Sequence, residues 1–220
     1  MALVSASLLS GDLLNLESEI HSLERAGIDY LHIDIMDGHF VPNIAFGIDV
    51  VKRISEVSSL PVNVHLMIEE PQKFIDVLSY ANVNFIIVHV EDNRNLENIL
   101  GKIKSKKIGA GVAISPATPA SAIQRFIPYM DLALVMGVHP GFSGQTLIPS
   151  TIDKIKSIKN MAQTGKIVVG IDGGINDMTA PLANAAGADI LIAGSYLFDN
   201  HGGDKISSMM GKIKVLCGKE

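Results

Sequence analysis

Short runs of β-branched and aliphatic residues recur along the chain and alternate with longer amphipathic segments. The runs predict eight strands, over residues 2–8, 30–35, 61–67, 84–90, 107–114, 131–138, 166–172 and 188–194. The segments 13–27 and 179–187 have a helical pattern and end in glycine, the usual residue at a helix C-terminus. Strands and helices that alternate at a spacing of about 27 residues are typical of a compact (β/α)8 barrel.

The chain organisation favours one domain. No proline- or serine-rich linker and no low-complexity stretch divides the sequence. An open, doubly wound sheet usually has fewer strands and an early GxGxxG motif, which is absent here. We therefore expect an α/β fold, a single-domain (β/α)8 TIM barrel over residues 1–220.

Polar side chains mark the carboxyl ends of three predicted strands. His32 and Asp34 lie in the second run, His65 in the third and Asp172 at the end of the seventh. The residues that alternate with His32 and Asp34 are all aliphatic and should face the helices, so the polar set should point into the barrel. Any one of the four is more simply explained as a hydrogen-bonded core residue, but all four together favour a site.

This polar set has the composition of a metal site. Imidazole and carboxylate ligands suit Zn, Fe, Mn or Co, and the sequence does not choose among these metals. The same groups could supply two acid/base residues, a combination that suits proton transfer next to a carbonyl.

Glycine-rich segments follow the last three predicted strands, as HPGFSGQ (139–145), DGGI (172–175) and AGS (193–195). Any one of them is explained by turn glycines. Three in succession predict a phosphate site built from backbone N–H groups, because barrels often use their last strands in this way. Three methionines at inward strand ends, Met36, Met67 and Met136, are a possible apolar wall, whereas core filling explains most of the nine methionines.

The overall composition narrows the functional classes. A net charge of −5 argues against a nucleic-acid surface, and the 47% hydrophobic content excludes disorder. No run approaches the roughly 20 apolar residues of a membrane span, and the N-terminus lacks a signal-peptide pattern. The single cysteine, Cys217, excludes a disulfide framework and fits a reducing, cytoplasmic setting. His21, His201 and the KSKK stretch at 104–107 should lie on the surface, and the role of His89 stays open.

Several segments resemble the ribulose-phosphate 3-epimerase family. HIDIMDGHFVPN (32–43) is the most specific, and VHLMIEEP (64–71), the three glycine segments and AGSYLF (193–198) extend the resemblance over nearly the whole chain. The resemblance implies a barrel of the ribulose-phosphate-binding type that interconverts ribulose 5-phosphate and xylulose 5-phosphate in the pentose phosphate pathway. We therefore expect a homo-oligomer that acts on a phosphorylated ketose, and composition and charge add the expectation of a cytoplasmic protein that binds neither nucleic acid nor membrane.

The resemblance assigns roles to individual residues. His32, Asp34, His65 and Asp172 would hold one divalent metal ion per subunit, with Asp34 and Asp172 as the two acid/base groups. The substrate would be bound by Ser7, His65, Gly141, Phe142, Ser143, Gly144, Gly173, Gly174, Gly194 and Ser195.

Three positions depart from the family pattern. Gly137 and His139 stand where the family usually has Ser or Thr and Asn, Asp or Glu. They leave open a six-carbon substrate such as allulose 6-phosphate. Gly170 stands where the family usually has Glu, which could loosen the support of the metal ligands.

Two other activities fit the sequence less well. A non-catalytic phosphosugar-binding barrel is disfavoured because none of the four polar residues is lost. A lyase or decarboxylase is disfavoured because no lysine lies at an inward strand end.

Overall fold

The computed structural model describes residues 1–91, 95–162, 167–199 and 204–218. The strands are β1 (Leu3–Ser7), β2 (Tyr30–Asp37), β3 (Ile44–Ala45), β4 (Val62–Met67), β5 (Val83–His89), β6 (Gly109–Ile114), β7 (Leu132–Met136), β8 (Val168–Asp172) and β9 (Ile190–Ala193). The α-helices are α1 (Leu16–Ala26), α2 (Ile48–Val57), α3 (Ile75–Leu78), α4 (Leu96–Ser105), α5 (Ile152–Ala162), α6 (Ala180–Ala186), α7 (Ser195–Phe198) and α8 (Lys205–Cys217). The 3-10 helices within the described residues cover Leu8–Ser10, Pro71–Lys73, Ala120–Tyr129 and Pro149–Thr151.

Eight parallel strands close into a barrel. The pairing order is β1-β9-β8-β7-β6-β5-β4-β2, and β1 also pairs with β2, so this set of strands has no open edge. The short β3 pairs antiparallel with the end of β2, through Met36 opposite Ala45 and Asp37 opposite Ile44. The predicted (β/α)8 TIM barrel is therefore confirmed, with β3 as an addition that the sequence pattern did not predict.

The predicted elements lie where the pattern placed them, with shifted ends. The segment 13–27 contains α1, the segment 179–187 contains α6, and Gly27 and Gly187 follow these helices with positive φ. His21 and the 104–107 stretch are exposed, as expected. Residue 166 of the seventh predicted strand and His201 lie outside the described residues.

The two faces of the strands build two different cores. Outward residues such as Leu31 and Ile33 are fully buried in the layer between the barrel and its helices. Inside the barrel, β5 to β9 contribute an apolar cluster that includes Leu134 and Ile190. The polar interior residues lie mainly on β1, β2 and β4 and include Ser5, Ser7, His32 and Asn63, all buried. The polar residues of the barrel interior are therefore concentrated in one sector, and the apolar residues fill the rest.

Among the described residues, no helix has both the length and the apolar character that crossing a bilayer requires.

Candidate active site

Strand register brings the four predicted metal ligands together at the carboxyl end of the barrel. Asp34 on β2 stands opposite His65 on β4, and His32 precedes Asp34 on the same inward face. Asp172 is the last residue of β8, which is separated from β2 by β1 and β9 in the barrel. One ligating atom from each of the four residues lies within 4.8 Å of the others, so the cluster could hold a metal ion.

The contacts within the cluster run mainly between rings and carboxylates. Nδ1 of His65 lies 3.1 Å from Oδ1 of Asp34 and 3.9 Å from Oδ2 of Asp172. Nε2 of His32 lies 3.3 Å from the same Asp34 oxygen and 3.7 Å from Oδ2 of Asp172. The Asp34 oxygen Oδ1 is therefore close to both imidazoles, and the other Asp34 oxygen accepts a 2.9 Å hydrogen bond from the Ser7 hydroxyl.

These residues fit a divalent cation. Both ring nitrogens of His32 are buried, and neither has a well-aligned hydrogen-bond partner among the residues that the structure describes. Asp34 and Asp172 are also buried, and two neighbouring carboxylates in such a place need a compensating positive charge. Two imidazoles and two carboxylates are the ligand types that borderline metals such as Zn, Mn, Fe and Co accept.

The surroundings shift the pKa values of the two carboxyl groups in opposite directions. Burial raises the pKa of Asp172 to about 7, the negative charge of Asp34 adds to this increase, and His32 opposes it. Burial also raises the pKa of Asp34, but His32 and His65 outweigh burial and leave that pKa lowered. Without a metal ion, Asp34 is therefore the ionised carboxylate, and Asp172 is the one that holds a proton more readily.

The two imidazoles also differ. Burial lowers the pKa of His65 to about 4, although its contact with Asp34 opposes the change. Burial lowers the pKa of His32 as well, but the charges of Asp34 and Asp172 outweigh burial and the net direction is upward.

A cavity opens above the two carboxylates. Asp34 and Asp172 line it, whereas His32 and His65 are fully buried and do not. The other predicted site residues that line it are Ser7, Met36, Met67, Met136, Gly141, Phe142, Ser143, Gly144, Gly173, Gly174, Gly194 and Ser195. Pro140, Gln145 and Ile175 also line it and belong to the glycine-rich segments that the sequence analysis named, whereas Leu9, Ser10 and Val138 were missed because no distinctive motif marks them.

Glycine is required where the loop after β8 approaches the loop after β7, and where the loop after β9 approaches the 3-10 helix after β1. Gly174 has a φ of 69°, and a Cβ at this position would lie 2.4 Å from the backbone nitrogen of Leu147. At Gly194 a Cβ would lie 2.5 Å from the Ser10 hydroxyl oxygen. These loops therefore bring main chain close to the cavity, as a backbone phosphate cradle requires.

Packing explains two of the three departures from the family pattern. A Cβ at Gly137 would lie 2.4 Å from the carbonyl oxygen of Gly173, so this backbone leaves no room for a side chain. At Gly170 a Cβ would lie 3.2 Å from Leu134 Cδ1. Leu134 therefore packs against Gly170 inside the barrel.

The third departure, His139, lies in the segment 139–145, which lines the cavity and is held by hydrogen bonds. The side-chain amide of Gln145 donates to the carbonyl oxygens of His139 and Phe142, at 2.7 and 2.8 Å. The side chain of Asn43, beyond β2, donates to the carbonyl oxygen of Gly141 at 2.7 Å. Hydrogen bonds within the segment 139–145, and one from Asn43 on the opposite side of the barrel opening, therefore hold this segment in place.

His89, whose role the sequence left open, is a direct neighbour of a candidate ligand. It ends β5, is 1% exposed, and its Nε2 lies 2.9 Å from Nε2 of His65. Its Nδ1 contacts the carboxylate of Glu91 at 3.0 Å. The sequence signal for this pair is a histidine and a glutamate two residues apart at the end of an apolar run.

Comparisons with known proteins agree with this architecture. Residues 3–198 match the model of the ribulose-phosphate 3 epimerase family. A ribulose-phosphate 3-epimerase from Bacillus subtilis is 43% identical, over 90% of this chain and 93% of its own. One from Chlamydia trachomatis is 41% identical, over 99% of this chain and 94% of its own.

Solved structures support the fold alone. A mutant tryptophan synthase α-subunit from Pyrococcus furiosus superimposes with a TM-score of 0.71 at 13% sequence identity, covering 99% of this chain and 97% of that one. The full-length sequence similarity is the stronger finding, and it shows that the chain belongs to the ribulose-phosphate 3-epimerase family.

Proposed function

We propose that this protein interconverts D-ribulose 5-phosphate and D-xylulose 5-phosphate by moving a proton at C3. The observation that carries the proposal is the pair Asp34 and Asp172, two carboxylates from different strands that line one cavity. Inversion at a carbon needs a proton acceptor on one face and a proton donor on the other, and two facing carboxylates meet that need. Sequence relatives named ribulose-phosphate 3-epimerase support the choice of substrate.

The residues of the site have distinct tasks in this proposal. One carboxylate removes the C3 proton from one face, and the other, in its protonated form, returns a proton to the opposite face. A divalent ion held by His32, Asp34, His65 and Asp172 would act as a Lewis acid for the oxygens that gain negative charge. Ser7 holds Asp34 by a hydrogen bond and so fixes the direction of one carboxylate.

The rest of the cavity would bind and position the sugar phosphate. The backbone around Gly144, Gly174 and Gly194 would receive the phosphate, whose binding energy positions C3 between the carboxylates. The side chains of Met36, Met67 and Met136 line the same cavity and would limit water around the reacting carbon. By family resemblance the protein would work in the cytoplasm as a homo-oligomer, which sedimentation of the purified protein would test.

A coupled assay tests the proposed activity. Protein stripped with a strong chelator and reloaded separately with Zn, Mn, Fe or Co would be given ribulose 5-phosphate, and formation of xylulose 5-phosphate would be followed. We expect turnover with at least one metal and almost none in verified metal-free protein. Full activity without metal would contradict the metal requirement, and no turnover with any of the metals would contradict the proposed reaction.

The same preparations distinguish five-carbon from six-carbon substrates. His139 lines the cavity in the segment where this chain departs from the family pattern, so allulose 6-phosphate is the informative competitor. We expect kcat/KM to be higher for the pentose. A higher value for the hexose would move the assignment to a six-carbon ketose phosphate.

A further inference from the structure

A chain of three contacts leads from the surface of the barrel end to the candidate metal ligands. Glu91 Oε2 lies 3.0 Å from Nδ1 of His89, and Nε2 of His89 lies 2.9 Å from Nε2 of His65. The other ring nitrogen of His65 faces Asp34 at 3.1 Å. The side chain of Glu91 is 24% exposed and that of His65 is fully buried. These contacts therefore connect a partly exposed carboxylate to a buried candidate metal ligand.

Glu91 is held in place by its other contacts. Its Oε1 accepts a 2.6 Å hydrogen bond from the backbone N–H of Ser115, and Thr118 also hydrogen bonds the carboxylate. The ammonium group of Lys154 donates to the carbonyl oxygens of Ser115, Pro116 and Thr118. The segment after β6 therefore holds the Glu91 carboxylate through the Ser115 N–H and Thr118, while Oε2 contacts His89.

Proton counting assigns the tautomers of the two rings when each ring is neutral. An ionised carboxylate only accepts hydrogen bonds, so the nitrogen of His89 that faces Glu91 must carry the proton. Nε2 of His89 is then unprotonated and accepts, so the proton between the two rings must sit on Nε2 of His65. Nδ1 of His65 is left unprotonated and directed at Asp34 and Asp172, where its lone pair meets two carboxylates unless a cation lies between them.

We propose that Glu91 is a positioning residue that acts through His89 to keep Nδ1 of His65 unprotonated and available as a metal ligand. The inference rests on the metal site of the proposed function and extends it to two residues outside the ligand set. Hydrogen bonds of this kind from the non-ligating nitrogen fix ring orientation and tautomer at metal sites. His89 has no direct access to the substrate cavity, so its part is also one of positioning.

The substitution Glu91→Gln reverses the proton order. Because the Ser115 N–H requires an acceptor, the Gln oxygen takes the Oε1 position and its NH2 group turns toward His89. His89 would then be protonated on Nε2, and His65 would carry its proton on Nδ1, where the metal binds. We expect Zn²⁺ affinity, measured by competition with a chelating dye, to fall by about 10- to 100-fold.

Glu97→Gln is the matched control, because it removes the same charge from the exposed first turn of α4. It should leave Zn²⁺ affinity unchanged, and far-UV circular dichroism should confirm that both variants fold. Equal Zn²⁺ affinity in wild-type protein and Glu91→Gln would overturn the inference while leaving the metal site intact. A wild-type protein that binds no Zn²⁺ would instead contradict the metal site itself and the inference with it.

A direct measurement on the wild-type protein does not depend on any variant. In the Zn²⁺-loaded protein with ¹⁵N-labelled histidine, long-range ¹H–¹⁵N correlations report which nitrogen of each ring is protonated. We expect a proton on Nε2 of His65 and on Nδ1 of His89. A proton on Nε2 of His89 would overturn the inference, and a purely structural role for Glu91 would not dictate this pattern.

Discussion

At the scale of single residues, two carboxylates of one cavity differ because their neighbours differ. Asp34 lies against His32 and His65 and accepts a hydrogen bond from Ser7, which together favour its ionised form. The histidine contacts of Asp172 are longer, and burial together with the charge of Asp34 raises its pKa to about 7. Carboxylates with unlike environments are suited to opposite parts of a proton transfer.

Replacing either carboxylate by its amide tests whether both take part. Asp34→Asn and Asp172→Asn preserve side-chain size but remove the oxygen that accepts a proton, so each should lower kcat well beyond the roughly 100-fold expected for ordinary acid/base assistance. The assay is steady-state epimerisation in both directions. Metal content must be measured alongside, because each substitution also removes a candidate ligand.

Exchange of the C3 proton with solvent deuterium tests whether each carboxylate serves one face of the substrate. In deuterium oxide, a metal-replete variant that keeps one working carboxylate should exchange the C3 proton of one epimer without completing inversion. The other variant should do so for the opposite epimer, which NMR of the C3 position would show. Epimerisation at the wild-type rate by either metal-replete variant would contradict the two-carboxylate mechanism.

At the scale of secondary-structure elements, the strands were predictable and the connections between them were less so. Alternation in β2 put His32 and Asp34 on one face and aliphatic residues on the other, and the structure confirms both faces. The two-residue β3 could not be predicted, because its pairing with β2 depends on how the segment folds back rather than on its own pattern. The contact of His89 with His65 likewise depends on strand pairing in the closed barrel.

The loop after β8 gives a test of backbone phosphate binding. In Gly174→Ala the new Cβ would meet the backbone of Leu147 and require a strained φ, so the main chain near the cavity must move. We expect KM for the phosphorylated sugar to rise about tenfold or more, an effect of roughly 1.4 kcal/mol on binding.

Gly101→Ala in α4 is the control, because a Cβ there meets nothing within 4 Å. Its kinetics should match the wild type. If D-ribulose without phosphate reacts as well as the phosphorylated sugar in wild-type protein, the glycine loops do not hold a phosphate.

Contacts between elements also predict a dependence of stability on pH. Two lysines of the α4 region, Lys102 and Lys106, each lie 2.7 Å from Asp76 of α3 and lower its pKa to about 2. A carboxyl whose pKa is lower in the folded state stabilises the fold above its ordinary pKa of 3.8, and this contribution is lost as pH falls toward 2.

Asp76→Asn should therefore be less stable than wild type at pH 6 and closer to wild type at pH 3. The difference should be small, because Asp76 is exposed and salt screens such pairs. Urea unfolding at the two pH values measures it, with Asp49→Asn, whose lysine partner is 3.7 Å away, as the control. A stability difference between Asp76→Asn and wild type that is larger at pH 3 than at pH 6 would contradict the lowered pKa of Asp76.

At the scale of the whole molecule, barrel closure is what assembles the site. His32 and Asp34 come from β2, His65 from β4 and Asp172 from β8, and only the closed order of strands brings all four within ligating distance. The sequence could predict which residues end inward strands, but metal identity and sugar length depend on sub-ångström geometry that no pattern of residue types encodes.

A metal ion bound across three strands should stabilise the whole barrel. An ion that binds only the folded chain adds about 2.7 kcal/mol at a concentration 100 times its Kd, which raises Tm by roughly 5–10 °C for a chain of this size. We expect that shift when Zn²⁺ is added to chelated wild-type protein in a calorimetric scan. Asp172→Asn should show a much smaller shift at the same Zn²⁺ concentration, because one ligand is lost. An equal shift in both proteins would mean that the stabilising ion binds elsewhere, and the four residues would then need another explanation for their convergence.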